Sequence, residues 1–130
     1  MAEHPNATLI RRGYKAFSAG DVEELSVLLA DDAVQHMPGH NMFSGDHRGR
    51  GAILTMYGQL AERCGGTLKV DLEEVYANDD QVITIYHTTA AREGRKLDSR
   101  HALVFQMRGT QAVDLTDVAE DDETDDAFWA

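Results

Sequence analysis

Cysteine is almost absent. Cys64 is alone in 130 residues, so no internal disulfide can form and no Cys-x-x-C pair exists to bind zinc or exchange electrons. It falls on an apolar helical stripe and reads as a small core residue. Basic residues are also scarce. Twelve Lys and Arg against 23 Asp and Glu give a net charge of −11, which argues against nucleic acid and anionic membranes, since both need basic patches to displace counterions. Long hydrophobic runs are missing. No stretch approaches the roughly 18 apolar residues of a membrane span, and the opening MAEHPNATLI lacks the basic start and apolar run of a secretion signal. A cytoplasmic protein with no nucleic-acid or membrane partner is expected.

What is present fits one domain over residues 1–130, large enough to bury roughly two-thirds of its unfolded surface. Asn6 is placed to cap a helix over about residues 6–18 whose stripe is Leu9, Ile10, Gly13 and Phe17, with Gly20 as its left-handed stop. Asp21 and Glu24 have capping-box spacing before Val22, Leu25, Leu28 and Leu29, giving a second helix folded back on the first. A strand near Ala33 to Met37 breaks at Pro38-Gly39, and a polar loop leads to a third helix that opens at Gly51, carries Ile53, Tyr57, Leu60 and Cys64, and stops at Gly65-Gly66.

From Thr67 onward the period changes to two, giving four strands: Leu68 to Leu72, Val82 to Ala91, Leu97 to Met107 and Ala112 to Val118. The turns at Asn78-Asp79-Asp80, Glu93-Gly94 and Arg108-Gly109-Thr110 are short enough for hairpins, so an antiparallel meander is expected. The tail through Ala127-Phe128-Trp129 reads as a closing helix. Seven acids between Asp117 and Asp126 read as a solvated turn rather than a calcium site, because EF-hand spacing and its glycine are absent.

Hairpin arithmetic predicts which side chains meet. A tight loop at Glu93-Gly94 pairs Arg92 with Arg95 and therefore Tyr86 with His101. Matching the apolar faces of the next hairpin sets Asp117 opposite His101 as well. Tyr86, His101 and Asp117 are thus the candidate catalytic residues, on a floor of Leu103, Phe105 and Leu115, close enough to hydrogen-bond across the strands. A carboxylate there is pushed up by desolvation and pulled down by a charged imidazole. The alternative is a buried polar cluster that satisfies itself.

The opposite face, with Ile83, Ile85, His87, Ala102, Val104 and Val118, is too apolar to leave in water, and a homodimer through it is the simplest cover. His87, opposite Arg100, reads as an interface residue. His36, His40 and His47 do not read as a metal site, since Pro38-Gly39 breaks the helix that would align the first two. Gln35 and Met37 alternate with His36, so one of these two faces looks into a pocket. Tyr14, Phe17, Phe43, Tyr57 and Trp129 are candidate pocket walls.

The segments SAGDVEELSVLLADDAV, HMPGHNMFSGDHRGRGAI and DDAFW, in this order, make the whole chain similar to the SnoaL-like, ketosteroid-isomerase-like branch of the nuclear-transport-factor-2-like superfamily. The resemblance implies an α+β cone: three N-terminal helices packed on a strongly curved antiparallel sheet that encloses an apolar pocket, in a dimer. Carried over residue by residue, the isomerases' general base falls on Met37, their oxyanion-hole tyrosine on Gly13, next to Tyr14, and their oxyanion-hole acid on Leu103. That mechanism is therefore not expected. Cyclases of the SnoaL type resemble this chain in placing an acid/base aspartate late in the sheet beside a histidine, positions held by Asp117 and His101. The expected function is cofactor-independent acid/base chemistry of polyketide-cyclase or isomerase type on a small apolar carbonyl compound. Its alternative is a non-catalytic domain that binds a hydrophobic ligand or pairs with a partner through the same fold.

Overall fold

The structure is a computed structural model that describes residues 3–130. Helix α1 (Pro5–Ala19) starts with proline at its first position, where the missing N–H costs nothing, and its cap is His4, whose ring accepts from Asn6 N at 3.0 Å. Asn6 is not the cap. Its side chain is buried and donates to the carbonyls of Asn78 and Asp79, tying the helix start to a distant turn. Gly20 ends the helix at φ 69°. Asp21 caps α2 (Val22–Leu28) through Glu24 N, while the Glu24 carboxylate pairs with Arg12 instead of closing a reciprocal box.

Helix α2 passes directly into β1 (Leu29–Met37), four residues earlier than alternation suggests, because Leu29 is already extended. The segment expected as a polar loop contains a further strand, β2 (Gly45–Arg48), antiparallel to β1; α3 (Arg50–Arg63) follows. Then come β3 (Lys69–Ala77), β4 (Gln81–Arg92), β5 (Arg95–Arg108), β6 (Gln111–Ala119) and α4 (Asp122–Trp129). No helix among the described residues is long and apolar enough to cross a membrane.

The six strands form one sheet in the order β2-β1-β6-β5-β4-β3. The meander from β3 to β6 is present as expected, but β1 lies parallel to β6. A strongly curved, wholly antiparallel cone is therefore overturned: the sheet is mixed, open between the edge strands β2 and β3, and not strongly curled. The reason is connectivity. Everything from α3 to β5 lies between β1 and β6 in the chain, a crossover long enough to bring the first strand back alongside the last in the same direction.

At the β4–β5 hairpin, Glu93 and Gly94 have φ of 50° and 77°, as a two-residue turn with two left-handed positions requires. Every pair from Arg92 opposite Arg95 to Gln81 opposite Gln106 matches the register expected from sequence. The β5–β6 register does not. Next to the turn it already runs one residue off, with Arg108 opposite Gln111, and a bulge between Gln106 and Met107 adds one more, so Asp117 faces Leu103 and His101 faces Ala119. Beyond the bulge the net shift of two leaves Leu115 and Asp117 on their expected face, whereas before it Ala112, not Val113, stands opposite Met107.

One sheet face packs on the helices through Ile10, Leu29, Ala33, Ile53, Val82, Leu103, Phe105 and Leu115. A second cluster joins Phe43, Met56, Cys64, Ala90, Leu97, Phe128 and Trp129 beneath α4. Cys64 is thus a core residue, and burial pushes its thiol up. The other sheet face leaves Tyr76, Ile83 and Val118 exposed.

Candidate functional site

The helices and the inner sheet face leave a cavity of about 150 Å³ between them. Tyr86, His101 and Asp117 line it together with Tyr14, Phe17, Gln35, Met37, Phe43, Tyr57, Leu103, Phe105, Leu115 and Trp129. The structure therefore gathers around one space all of the residues singled out from sequence as catalytic or ligand-binding.

At its centre are three strands. Tyr86 on β4 and His101 on β5 are directly opposed, and their rings stack with centroids 5.2 Å apart. Asp117 on β6 sits diagonally from His101 rather than across from it, still within reach because diagonal neighbours on one face remain close. Its Oδ1 binds His101 Nδ1 and its Oδ2 accepts from the Tyr86 hydroxyl, both at very short range. Leu103 and Leu115, 6% and 1% exposed, form the dry floor, so these bonds act without competition from water.

The second side of His101 is closed by a residue that its acidic neighbours in the tail conceal. Asp125 on α4 places Oδ2 2.8 Å from His101 Nε2 and is buried with Phe128 and Trp129, to which it stands at i+3 and i+4 spacing. Reading the acidic run as a solvated turn is correct for its exposed members and wrong for Asp117, which the strand register already turned inward, and for Asp125. The helical spacing to the two aromatics was the available signal. Asp126 is also engaged: its Oδ1 accepts from His40 N and Asn41 Nδ2, fastening the loop after β1 to α4.

Burial lowers the pKa of His101, but hydrogen bonds and charge from Asp117 and Asp125 outweigh it, so the imidazole is pushed up to about 10. At neutral pH it is an imidazolium clamped between two carboxylates. Tyr86 is raised well above an ordinary phenol, first by burial and then by the Asp117 charge. Tyr14 and Tyr57 are raised by burial as well. All three phenols are neutral: Tyr14 shares a 2.7 Å bond with Thr84 Oγ1, and Tyr57 donates to Gln35 Oε1 at 2.5 Å. Thr84, fully buried as the Tyr14 partner, stands opposite Leu103 and two residues before Tyr86, on the same face of β4.

Gln35 and Met37 face the cavity, which puts His36 on the outer face between Asp46 and Asp114 at 2.6 and 2.8 Å. These carboxylates raise the His36 pKa. His47 Nε2 bonds to the Phe43 carbonyl at 2.7 Å, and among the described residues no group of three or more His, Cys, Asp or Glu is placed to hold a metal. His87, on the outer face, lies 2.6 Å from Asp98.

A family model for the SnoaL-like domain matches residues 10–115. The chain belongs to the SnoaL-like family. It is 34% identical over 131 residues to uncharacterized protein Rv0034 of Mycobacterium tuberculosis, covering 100% of both chains. Among solved structures it is similar to Bal32a from a soil-derived mobile gene cassette, with 38% identity, 96% of each chain covered and a TM-score of 0.93. It also shares its fold with TerC co-crystallized with polyporic acid, at 18% identity, with 90% of this chain and 92% of that one covered and a TM-score of 0.78. Fold and family thus match the superfamily that the sequence motifs resemble.

Proposed function

We propose that this SnoaL-like protein is a cofactor-independent acid/base enzyme acting on a small, mostly apolar carbonyl compound, with Asp117, His101 and Tyr86 as its catalytic residues. The observation that carries the reading is the Asp117 carboxylate on the wall of an apolar cavity, bonded at once to a phenol and an imidazolium. Only 1% of the Asp117 side chain is exposed, so the proton travels through Tyr86. The C–H bond next to the substrate carbonyl breaks, its proton passes to the Tyr86 oxygen as the phenol gives its own to Asp117, and the electron pair moves onto the carbonyl oxygen. Neutralising Asp117 loosens its hold on His101, whose N–H then turns to the developing oxyanion. Return of the proton to another carbon is isomerisation; attack of the carbanion on a second carbonyl is cyclisation.

Deuterium uptake from D2O into cyclic ketones and diketones, followed by NMR, tests the shared first step. Asp117→Asn and Tyr86→Phe should each slow uptake by about 10²–10⁴-fold. Uptake by Asp117→Asn at the wild-type rate would remove the assignment. A second reading, a non-catalytic domain that binds a hydrophobic ligand, is favoured by one observation: every polar atom of Asp117 and both nitrogens of His101 already face partners within the protein. Saturable binding without uptake in the wild type would select it. We also place a homodimer on the outer sheet face, where Ile83 and Val118 are 37% and 52% exposed.

A further inference from the structure

Asp117 uses both oxygens, but the second carboxylate of the cluster does not. Asp125 is 6% exposed and lines the cavity, and among the described residues its one partner is His101, whose Nε2 stands 2.8 Å from Oδ2, while Oδ1 accepts from none of them. A carboxylate offers about four acceptor positions, so most of those on Asp125 stay unused, and a ligand hydroxyl entering the cavity can take one.

Charge narrows the class of ligand. The cavity wall contains no Lys or Arg, and its one cation, His101, is already flanked by two carboxylates. An anion there would lose its water and gain no counter-charge. Volume narrows it again: about 150 Å³ is the size at which an apolar protein cavity holds a single benzene ring.

We propose that Asp125 is a specificity-determining acceptor, which makes the cavity select uncharged single-ring compounds bearing a hydroxyl donor, phenols or ring enols, and turn away their anionic counterparts. This rests on the cavity being the functional site and names its ligand class; an enol is also the form that proton transfer at a ring ketone creates.

The test is equilibrium binding of phenol, anisole, toluene and benzoate at pH 7, followed by amide chemical shifts of the full chain. Phenol should bind at least tenfold more tightly than anisole or toluene, and benzoate should not saturate. In Asp125→Ala, phenol should fall to within twofold of anisole while toluene still binds, an outcome that a purely structural counter-ion to His101 would not produce. Equal affinity for phenol and anisole in the wild type, benzoate binding as tightly as phenol, a preference that survives in Asp125→Ala, or no saturable binding of any probe would each overturn the proposal. If Asp125→Ala does not fold, the wild-type ratio of phenol to anisole decides. Failure here leaves deuterium uptake and its loss in Asp117→Asn intact, so the two readings fail separately.

Discussion

Replacing His101 by Gln should remove most of the alkaline dependence of stability. In the folded chain the imidazolium is held by Asp117 and Asp125, and its pKa is pushed up to about 10 from an ordinary 6.5. That gap corresponds to about 5 kcal/mol of preferential stabilisation of the charged form. Since the folded pKa is the higher one, the contribution is fully present below pH 6.5, shrinks as pH rises, and is gone above about 10. Urea unfolding at intervals between pH 6 and pH 10 should therefore show the wild type losing about 1.4 kcal/mol per pH unit over most of this range. His101→Gln should be less stable than wild type at pH 6, because two buried carboxylates lose their shared cation, and nearly level with it at pH 10. A His101 ring that titrates near 6.5 by NMR, or a variant with the wild-type slope, would refute the reasoning.

Gly39 has φ +81°, and a Cβ there would overlap Asp126 Oδ1, so Gly39→Ala should destabilise by about 1–3 kcal/mol. Adding Asp126→Ala removes the overlap, and chemical unfolding of the double variant should show a combined loss smaller than the two single losses together. Val118→Lys places a charge on the half-exposed outer face and should shift sedimentation from dimer to monomer without changing deuterium uptake; a wild type that sediments as a monomer would sink the dimer proposal.

Local chemistry made much of this fold readable. Gly20, the Asp21 cap and the two-residue turn at Glu93-Gly94 act through their nearest neighbours, so helix ends and the β4–β5 register follow directly from residue type. Because that register is rigid, Tyr86 beside His101 was legible too. The bulge at Met107 was not, since it depends on how Ala112 and Val113 pack against the core rather than on the turn. The error was harmless at the site only because the bulge and the offset at the turn together displace the register by two residues. The parallel pairing of β1 with β6 and the added strand β2 depend on contacts across most of the chain, and no local pattern reports them. Asp125 was hidden for a different reason. Acidic neighbours disguise it, and only its phase relative to Phe128 and Trp129 marks it as inward-facing.

The pairing of β1 with β6 also orders events in time. Hairpins β4–β5 and β5–β6 close loops of a few residues, whereas β1 finds β6 only after about 80 intervening residues have been gathered, and the entropy of closing so long a loop must be met before any contact rewards it. Tyr86, His101 and Asp117 ride on the early hairpins. The wall that carries Gln35 and Met37 is therefore expected to dock against them late, a sequence that hydrogen-exchange labelling during refolding would test through earlier protection of β4 and β5 than of β1.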